Sequence, residues 1–329
     1  MTNPDSTSRN SRSGSSAQGG EFGELLQAYD QAGGPFQVLQ ESASPYLAVS
    51  SDKVLGKSEL PGLHLDTEEI QDGIRARIAI EPGVKLQQPV HFCIGLLGAE
   101  GAQSIDMEYE LGADASAQFI AHCTFPDARD VVHNMDARIH LAPGARLQYA
   151  ETHFHGEHGG IRVTPRGRVR LGEEAQYLSS FSLVKGRAGR LDSNYEVDAA
   201  EKALVELDAK AYGRADDEVL VSEVVRLNGA QSHGMLKTRL AARDRAHTKV
   251  FTQIEGNAAG ARGHMDCAEV VRGDAVAENI PEVVVRNEQA QVTHEAAIGR
   301  ISSKELETLM ARGLDEESAV DVILKGMLQ

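Results

Sequence analysis

Five short turn-forming segments recur along the middle of the chain at a nearly constant spacing. They read LGADA, LAPGA, LGEEA, VDAAEKA and LNGAQ, and begin at Leu111, Leu141, Leu171, Val197 and Leu227. The steps between these starts are 30, 30, 26 and 30 residues. Repeats of this period are typical of solenoids, in which one turn of chain cannot bury its apolar face alone and stacks on the next.

Between about residues 45 and 298 the chain has the pattern of strands separated by tight turns. Small and apolar residues alternate with mostly polar ones, as in ALVELDA (203–209) and VFTQI (250–254). This period of two indicates half-buried strands. Aromatic residues make up 5% of the chain and Trp is absent, which favours a β-helix over a compact fold with large aromatic anchors. An antiparallel β-sandwich is the alternative.

The two ends of the chain differ from this region. Residues 1–20 are rich in Ser, Gly and Asn and have the composition of a disordered tail. Residues 21–34 predict a short amphipathic helix, because Phe22, Leu25, Leu26 and Tyr29 follow helical spacing and Gly33–Gly34–Pro35 ends the pattern.

Residues 299–329 predict a helical hairpin. Ser302-x-x-Glu305 is a capping-box pattern for a first helix that Gly313 closes, and Asp315 can cap a second helix that ends at Lys325–Gly326. Such a pair of helices either caps the solenoid or offers a docking surface to another protein.

Charge and cysteine content narrow the classes of function. The formal net charge is -16, from 49 acidic and 33 basic residues, so binding to a phosphate backbone is not expected. The three cysteines form no C-x-x-C pair, which suits a reducing compartment rather than a disulfide framework. We find no secretory signal and no apolar run of the roughly 20 residues that span a bilayer. A soluble, cytoplasmic protein with no membrane partner is expected.

The C-terminal run IPEVVVRNEQAQVTHEAAIGRISSKELETLMARGLDEESAVDVILKGML resembles the end of the SufB/SufD family. The similarity is dense over residues 280–328 and looser back to about residue 100. The resemblance implies a mainly β fold, a right-handed parallel β-helix with C-terminal helices, and a role in building iron–sulfur clusters. It also implies two paired solenoids, and a SufC-type ABC ATPase that docks on residues 299–329.

The same resemblance supplies the first candidate site. Cys267, in GHMDCAEVVRG, matches a thiol position of SufB proteins; Glu295, in VTHEA, matches a SufB carboxylate; and His294 matches a histidine of both SufB and SufD. A homodimer would then hold a complete ligand set for a transient, labile iron–sulfur cluster. One thiolate together with an imidazole and a carboxylate binds a cluster less tightly than four thiolates do. Because His294 and Glu295 are adjacent, they serve one site only if the strand bends or if each comes from a different subunit.

A second set of metal-ligand candidates is His153, His155 and His158 in THFHGEHGG, together with Cys123. His153 and His155 share a strand face, and a His-x-His pattern is known to bind zinc or iron. A solvent-facing or interface histidine group is the alternative. Cys93 lies in an apolar run that indicates core, and His264 falls on the strand face opposite Cys267.

The function expected from these features is a non-enzymatic assembly scaffold. It would act as a homodimer, or paired with a second SufB/SufD-like subunit, together with a SufC-type ATPase, a sulfur donor and recipient apoproteins. No P-loop pattern is present for ATP hydrolysis by the chain itself. One alternative is a SufD-like structural subunit that never ligates iron. Another, a carbohydrate-active β-helix enzyme, is disfavoured by the absence of Trp and of a secretory signal.

Overall fold

The chain winds into a two-sided β-solenoid whose successive strands alternate between two sheets. The computed structural model describes residues 20–35, 37 and 44–328. Nineteen strands and three helices lie within this part of the chain. The tail predicted for residues 1–20 falls, apart from Gly20, outside the described residues.

The two sheets contain ten and nine strands of the described chain. Sheet A contains β1 (Tyr46–Ser50), β2 (Lys53–Ser58), β5 (Val90–Gly95), β7 (Ser116–Thr124), β9 (Arg146–Phe154), β11 (Gln176–Lys185), β13 (Leu204–Gly213), β15 (His233–Ala242), β17 (Arg262–Val271) and β19 (Gln291–Arg300). Sheet B contains β3 (Leu63–Ile70), β4 (Gly73–Ile80), β6 (Glu100–Leu111), β8 (Asp130–Leu141), β10 (Ile161–Leu171), β12 (Arg190–Ala199), β14 (Glu218–Leu227), β16 (His247–Gly256) and β18 (Val276–Val285).

Parallel ladders join the strands of each sheet from coil to coil. From β4 onward, each strand pairs in parallel with the strand two places further along the chain, as β17 does with β19 and β16 with β18. Only the start of the solenoid departs from this rule, where β1–β2 and β3–β4 are antiparallel hairpins. The predicted β-solenoid is therefore confirmed, and the antiparallel sandwich is excluded.

The interior is filled by the apolar half of each alternating strand. Ala203, Val205, Leu207 and Ala209 are each at most 4% exposed, as the period of two predicts. The start predicted for the fourth repeat, Val197, is two residues too early, because Ala199 pairs with both Leu171 and Leu227. The true steps here are 28 and 28 residues, so the coils are more regular than the turn motifs indicated.

The turns that follow sheet B strands share one backbone feature. Counting from the last residue of the strand, the fourth residue has a positive φ in four of them: 57° at Asp114, 72° at Gly144, 57° at Glu174 and 54° at Lys202. In LNGAQ the fifth residue, Gln231, has the positive φ, also 57°. A single left-handed residue reverses the chain in little space. The repeat seen in the sequence is therefore a repeat of this bend, which passes each coil from sheet B back to sheet A.

Helix α1 (Glu21–Ala32) covers the outer face of sheet A near its first coils. Leu25, Leu26 and Tyr29 pack against Ala48 and Cys93 in a cluster separate from the solenoid interior. The helix ends at Ala32, two residues before the predicted end at residue 34, and Gly33 caps it with a φ of 100°. Cys93 is fully buried beneath it.

The C-terminal helices α2 (Ser303–Met310) and α3 (Glu316–Met327) cover the same sheet near its far end. Asp315 caps α3 by accepting a 2.8 Å hydrogen bond from the Ser318 backbone N–H, whereas Ser302, at the N-cap of α2, makes no side-chain capping bond. The end expected for α3 at Lys325–Gly326 is wrong, because the helix continues to Met327. No helix in the described segments is long and apolar enough to cross a membrane.

Candidate functional site

Cys267 lies inside the second-to-last coil, on β17. Its side chain is 2% exposed and belongs to the solenoid core. Thr238 is its register partner on β15, and the Thr252 hydroxyl lies 3.7 Å from its sulfur. Burial raises the pKa of the Cys267 thiol, although the threonine contacts oppose the shift. In a single chain this thiol is therefore shielded and neutral.

His294 and Glu295 lie on β19, the terminal strand of sheet A. His294 pairs in register with Met265 and Glu295 with Asp266, and the ladder runs unbroken from Gln291 to Arg300. Met265 and Cys267 both point inward and are buried, so His294 shares the face of Cys267 and Glu295 lies on the opposite face. The strand does not bend, and one chain alone does not bring all three residues together.

The end of the solenoid that carries these residues is open. In the described chain β18 and β19 have a neighbouring strand on one side only. Several large apolar side chains are exposed there, each by 37% or more: Val276, Ile280, Val283, Val285 and Ile298. An unpaired strand edge flanked by exposed apolar side chains is a template for pairing with another chain.

A buried acid lies one coil further from the open end. Glu223 on β14 is 5% exposed, and its carboxylate lies 3.4 Å from the Thr238 hydroxyl. Burial raises the pKa of Glu223 to about 8; nearby Asp208 adds to the shift and the Thr238 hydrogen bond opposes it. Thr238 therefore connects the region of Cys267 to an acid that stays protonated at neutral pH.

A second group of ligand-type residues is buried far from the open end. Cys123 on β7 pairs in register with His153 on β9, and Glu151 lies two residues before His153 on the same inward face. One ligand atom from each of these three lies within 4.8 Å of the others, and in the part of the chain described here no other group of three His, Cys, Asp or Glu meets that test. All three are at most 2% exposed.

The structure places the three histidines of the predicted set in different environments. His155 is buried against His153, with 3.1 Å between the Nε2 and Nδ1 atoms, and burial lowers the pKa of His155 well below its usual value. His158 is exposed in the loop after β9 and lies outside the group. Glu151 takes its place, with its carboxylate 2.6 Å from His153 Nε2.

Sequence reasoning missed Glu151 and Glu223, although a signal for both was present. Each acid occupies an inward position in an alternating strand, and the residues two places before and after it also point inward. These are Tyr149 and His153 for Glu151, and Val221 and Val225 for Glu223. A carboxyl group at a core position is costly unless it is paired, protonated or bound to a metal. Such positions are therefore candidates for function.

The C-terminal helices are held to sheet A by a polar hub at Asp321. This residue accepts hydrogen bonds from the Tyr212 hydroxyl at 2.8 Å and from Arg243 at 3.2 Å. Beneath it, Ala319, Val320 and Leu324 pack against Tyr212 and other apolar residues of the sheet. Met310 and Val322 stay exposed by 42% and 50% on the outer side.

Comparison with known proteins identifies the family. The family model for the SUF system FeS cluster assembly SufBD core domain matches residues 98–327. An iron–sulfur cluster assembly SufBD family protein of Methanocaldococcus jannaschii is 38% identical over 308 residues, which are 94% of this chain and 98% of that protein. A protein of the same description from Pyrococcus horikoshii is 34% identical over 94% of each chain. The β-solenoid, its helices and these similarities agree, and the chain belongs to the SufBD family of iron–sulfur cluster assembly proteins.

Proposed function

We propose that the chain is a scaffold subunit on which iron–sulfur clusters are assembled, and that it works as a homodimer with a SufC-type ABC ATPase. The observation that carries the proposal is the shared inward face of Cys267 and His294 at the open end of the solenoid. A thiolate and an imidazole near an unpaired edge suit a cluster that must be built and then released.

The open edge supports the homodimer. Joining the edges of two chains would satisfy the free backbone groups of β18 and β19 and bury the exposed apolar side chains beside them. A two-fold interface uses the same patch on both copies. A site made of all three side chains would need Glu295 from one chain and Cys267 from the other, because the regular β19 strand places them on opposite faces within one chain.

The helical hairpin supports the ATPase partner. Helices α2 and α3 are attached to the outside of sheet A through Asp321 and a small apolar cluster, yet Met310 and Val322 remain exposed. A firmly anchored pair of helices with an exposed apolar outer side suits docking by another protein. The hydrolysis would belong to that partner, so the chain acts without enzymatic activity of its own.

The remaining partners follow from the same role. A cytoplasmic sulfur donor would supply the sulfide of the cluster, and recipient apoproteins would take the finished cluster from the open end. Iron and sulfide are the cargo of the scaffold. The buried, neutral Cys267 thiol implies that loading requires the last coil to open or the interface to form first.

Anaerobic reconstitution tests the scaffold function. The full chain is incubated with ferrous iron and sulfide, and cluster formation is followed by its charge-transfer absorption. The Cys267→Ser variant should lose this absorption and keep its far-UV circular dichroism. Cys93→Ser is the matched control, since Cys93 is a buried thiol beneath α1, and it should keep the cluster. Equal cluster formation by both variants would contradict the proposal.

A SufD-like subunit that ligates no iron is the second candidate function. It is favoured by the burial of Cys267 and by the outward position of Glu295. The same experiment separates the two. A wild-type chain that dimerises and binds the ATPase, yet forms no cluster, would establish the SufD-like role.

A further inference from the structure

The Cys123–Glu151–His153 group is a polar island in the solenoid interior. The aromatic rings of Phe125 and Phe181 lie 6.4 and 5.1 Å from the His153 ring. Burying a carboxyl group among apolar side chains costs several kcal/mol unless the charge is compensated. A compact set of thiol, imidazole and carboxyl groups buried at this energetic cost therefore indicates a role other than packing.

A hydrogen-bond chain orients the His153 ring. The Ala188 carbonyl can only accept, so the His155 Nδ1–H donates to it at 3.1 Å. This leaves His155 Nε2 as the acceptor for the His153 Nδ1–H, at 3.1 Å. This leaves His153 Nε2 directed at Glu151. Metal-binding histidines are commonly held this way, with one ring nitrogen bonded to a supporting group and the other facing the ion.

Two nearby side chains have polar atoms without partners. The Glu151 Oε2 atom and both ring nitrogens of His133 make no hydrogen bond among the described residues, and both residues are at most 2% exposed. The His133 ring lies 6.1 Å from the His153 ring, on the opposite sheet. Buried native groups are nearly always hydrogen-bonded, so this concentration of unpartnered atoms around one point indicates a missing ligand.

We propose that Cys123, Glu151 and His153 bind a single divalent transition-metal ion, ferrous iron or zinc, inside the solenoid. Metal bonds of about 2.0–2.3 Å place the ligands of a tetrahedral ion roughly 3.5 Å apart, which a 4.8 Å spread accommodates with small side-chain movements. Three protein ligands leave a fourth position, and the unpartnered imidazole of His133, 6.1 Å from the His153 ring, is a candidate for it.

The ligand types select the class of ion. Thiolate with imidazole and one carboxylate suits zinc and ferrous iron, whereas magnesium and calcium prefer all-oxygen sets. The site is distinct from the cluster site proposed at the open end. Cys123 and Cys267 lie on strands β7 and β17 of one sheet, five ladder steps or about 24 Å apart.

Cobalt binding tests the site without relying on cluster assembly. The experiment uses a tag-free, metal-free chain that carries Cys267→Ser, which removes the other candidate thiol. Co²⁺ is the only metal added. It is added in one sample to the folded protein and in another during refolding. We expect one cobalt per chain and a thiolate-to-cobalt charge-transfer absorption. Adding Cys123→Ser should abolish that absorption, and adding Cys93→Ser should leave it unchanged. Displacement of the cobalt by Zn²⁺, with loss of this absorption, shows that zinc occupies the same site.

Glu151→Gln separates metal binding from a structural role. The Gln amide can still hydrogen-bond to His153 Nε2, so the fold should keep its thermal midpoint within a few degrees. Loss of a carboxylate ligand should weaken cobalt binding by roughly tenfold or more. Absence of the charge-transfer band in the Cys267→Ser chain under both conditions, or its survival in the Cys123→Ser variant, would overturn the proposal. Either result leaves the scaffold function at the open end unaffected.

Discussion

His294 pairs in register with Met265 across the ladder between β19 and β17, which places its imidazole on the face of the sheet that carries Cys267. Glu295, the next residue, pairs with Asp266 on the outer face. The thiol and the imidazole can therefore act together within one chain, and the carboxylate cannot join them there. A cluster ligated by all three would have to be shared between two chains.

A mixed dimer tests whether the site is shared. One subunit carries Cys267→Ser and the other Glu295→Gln, with different affinity tags for purification of the mixed species. If Cys267 works with Glu295 of the other chain, one of the two sites keeps both ligands, and we expect about half the wild-type cluster content. If both ligands come from one chain, both sites are damaged and cluster content should fall close to zero. Iron, sulfide and absorbance measurements decide between these results.

The β-solenoid could be predicted from the sequence because its strands and turns depend on local patterns. The period of two and the repeating turns follow from short-range sterics and from which side chains are apolar. The placement of VDAAEKA was less accurate, since Val197 and Ala199 both point inward. Only the ladder from Leu171 to Ala199 settles which of them ends the strand.

The candidate sites were less predictable, because they depend on neighbouring coils. Cys123 and His153 are 30 residues apart and become neighbours through the β7–β9 register. His158 looked equivalent to His153 and His155 in the sequence, but the chain has left the strand by then and exposes it. Glu151 is one of 49 acidic residues in the chain, so its residue type alone does not mark it as a ligand. Its inward position in the alternation of β9 is the signal that separates it from the others, and the structure shows it buried.

Ile298→Lys should disrupt dimerisation. Ile298 is 50% exposed on the terminal strand β19, and a lysine on an edge strand disfavours pairing with another chain. We expect the main species to shift from dimer to monomer in light scattering coupled to size exclusion. Val322→Lys is the control, because Val322 is equally exposed but lies on α3. Retention of the dimer by Ile298→Lys would argue against an interface at this edge.

Leu324→Ala should loosen the C-terminal helices. Leu324 is fully buried between α3 and sheet A, and Leu→Ala changes at such sites cost about 2–5 kcal/mol. We expect faster proteolysis within residues 303–327 and weaker binding of a SufC-type ATPase, while the solenoid keeps its far-UV circular dichroism. Val322→Ala, at an exposed position of the same helix, should leave proteolysis unchanged. Equal cleavage rates for the two variants would show that this contact does not hold the hairpin.

Glu223 should make the stability of the solenoid fall as pH rises. Its pKa is raised by burial from 4.5 to about 8 in the folded chain, so between these values the folded state holds a proton that the unfolded state releases. The stabilisation from the neutral acid is complete below pH 4.5 and is lost as pH rises through 8. At pH 8 the accumulated loss should be about 4 kcal/mol.

Glu223→Gln isolates this effect, because glutamine resembles the protonated acid in shape and keeps a partner for Thr238. Urea unfolding of both proteins between pH 5 and 8.5 gives the difference in free energy of unfolding. We expect that difference to grow in favour of the variant across the range and to level off above pH 8. A difference that stays constant with pH would mean that Glu223 is ionised in the folded chain. Its charge would then need a compensating group near Thr238 and Cys267, as a bound cation at the open end would provide.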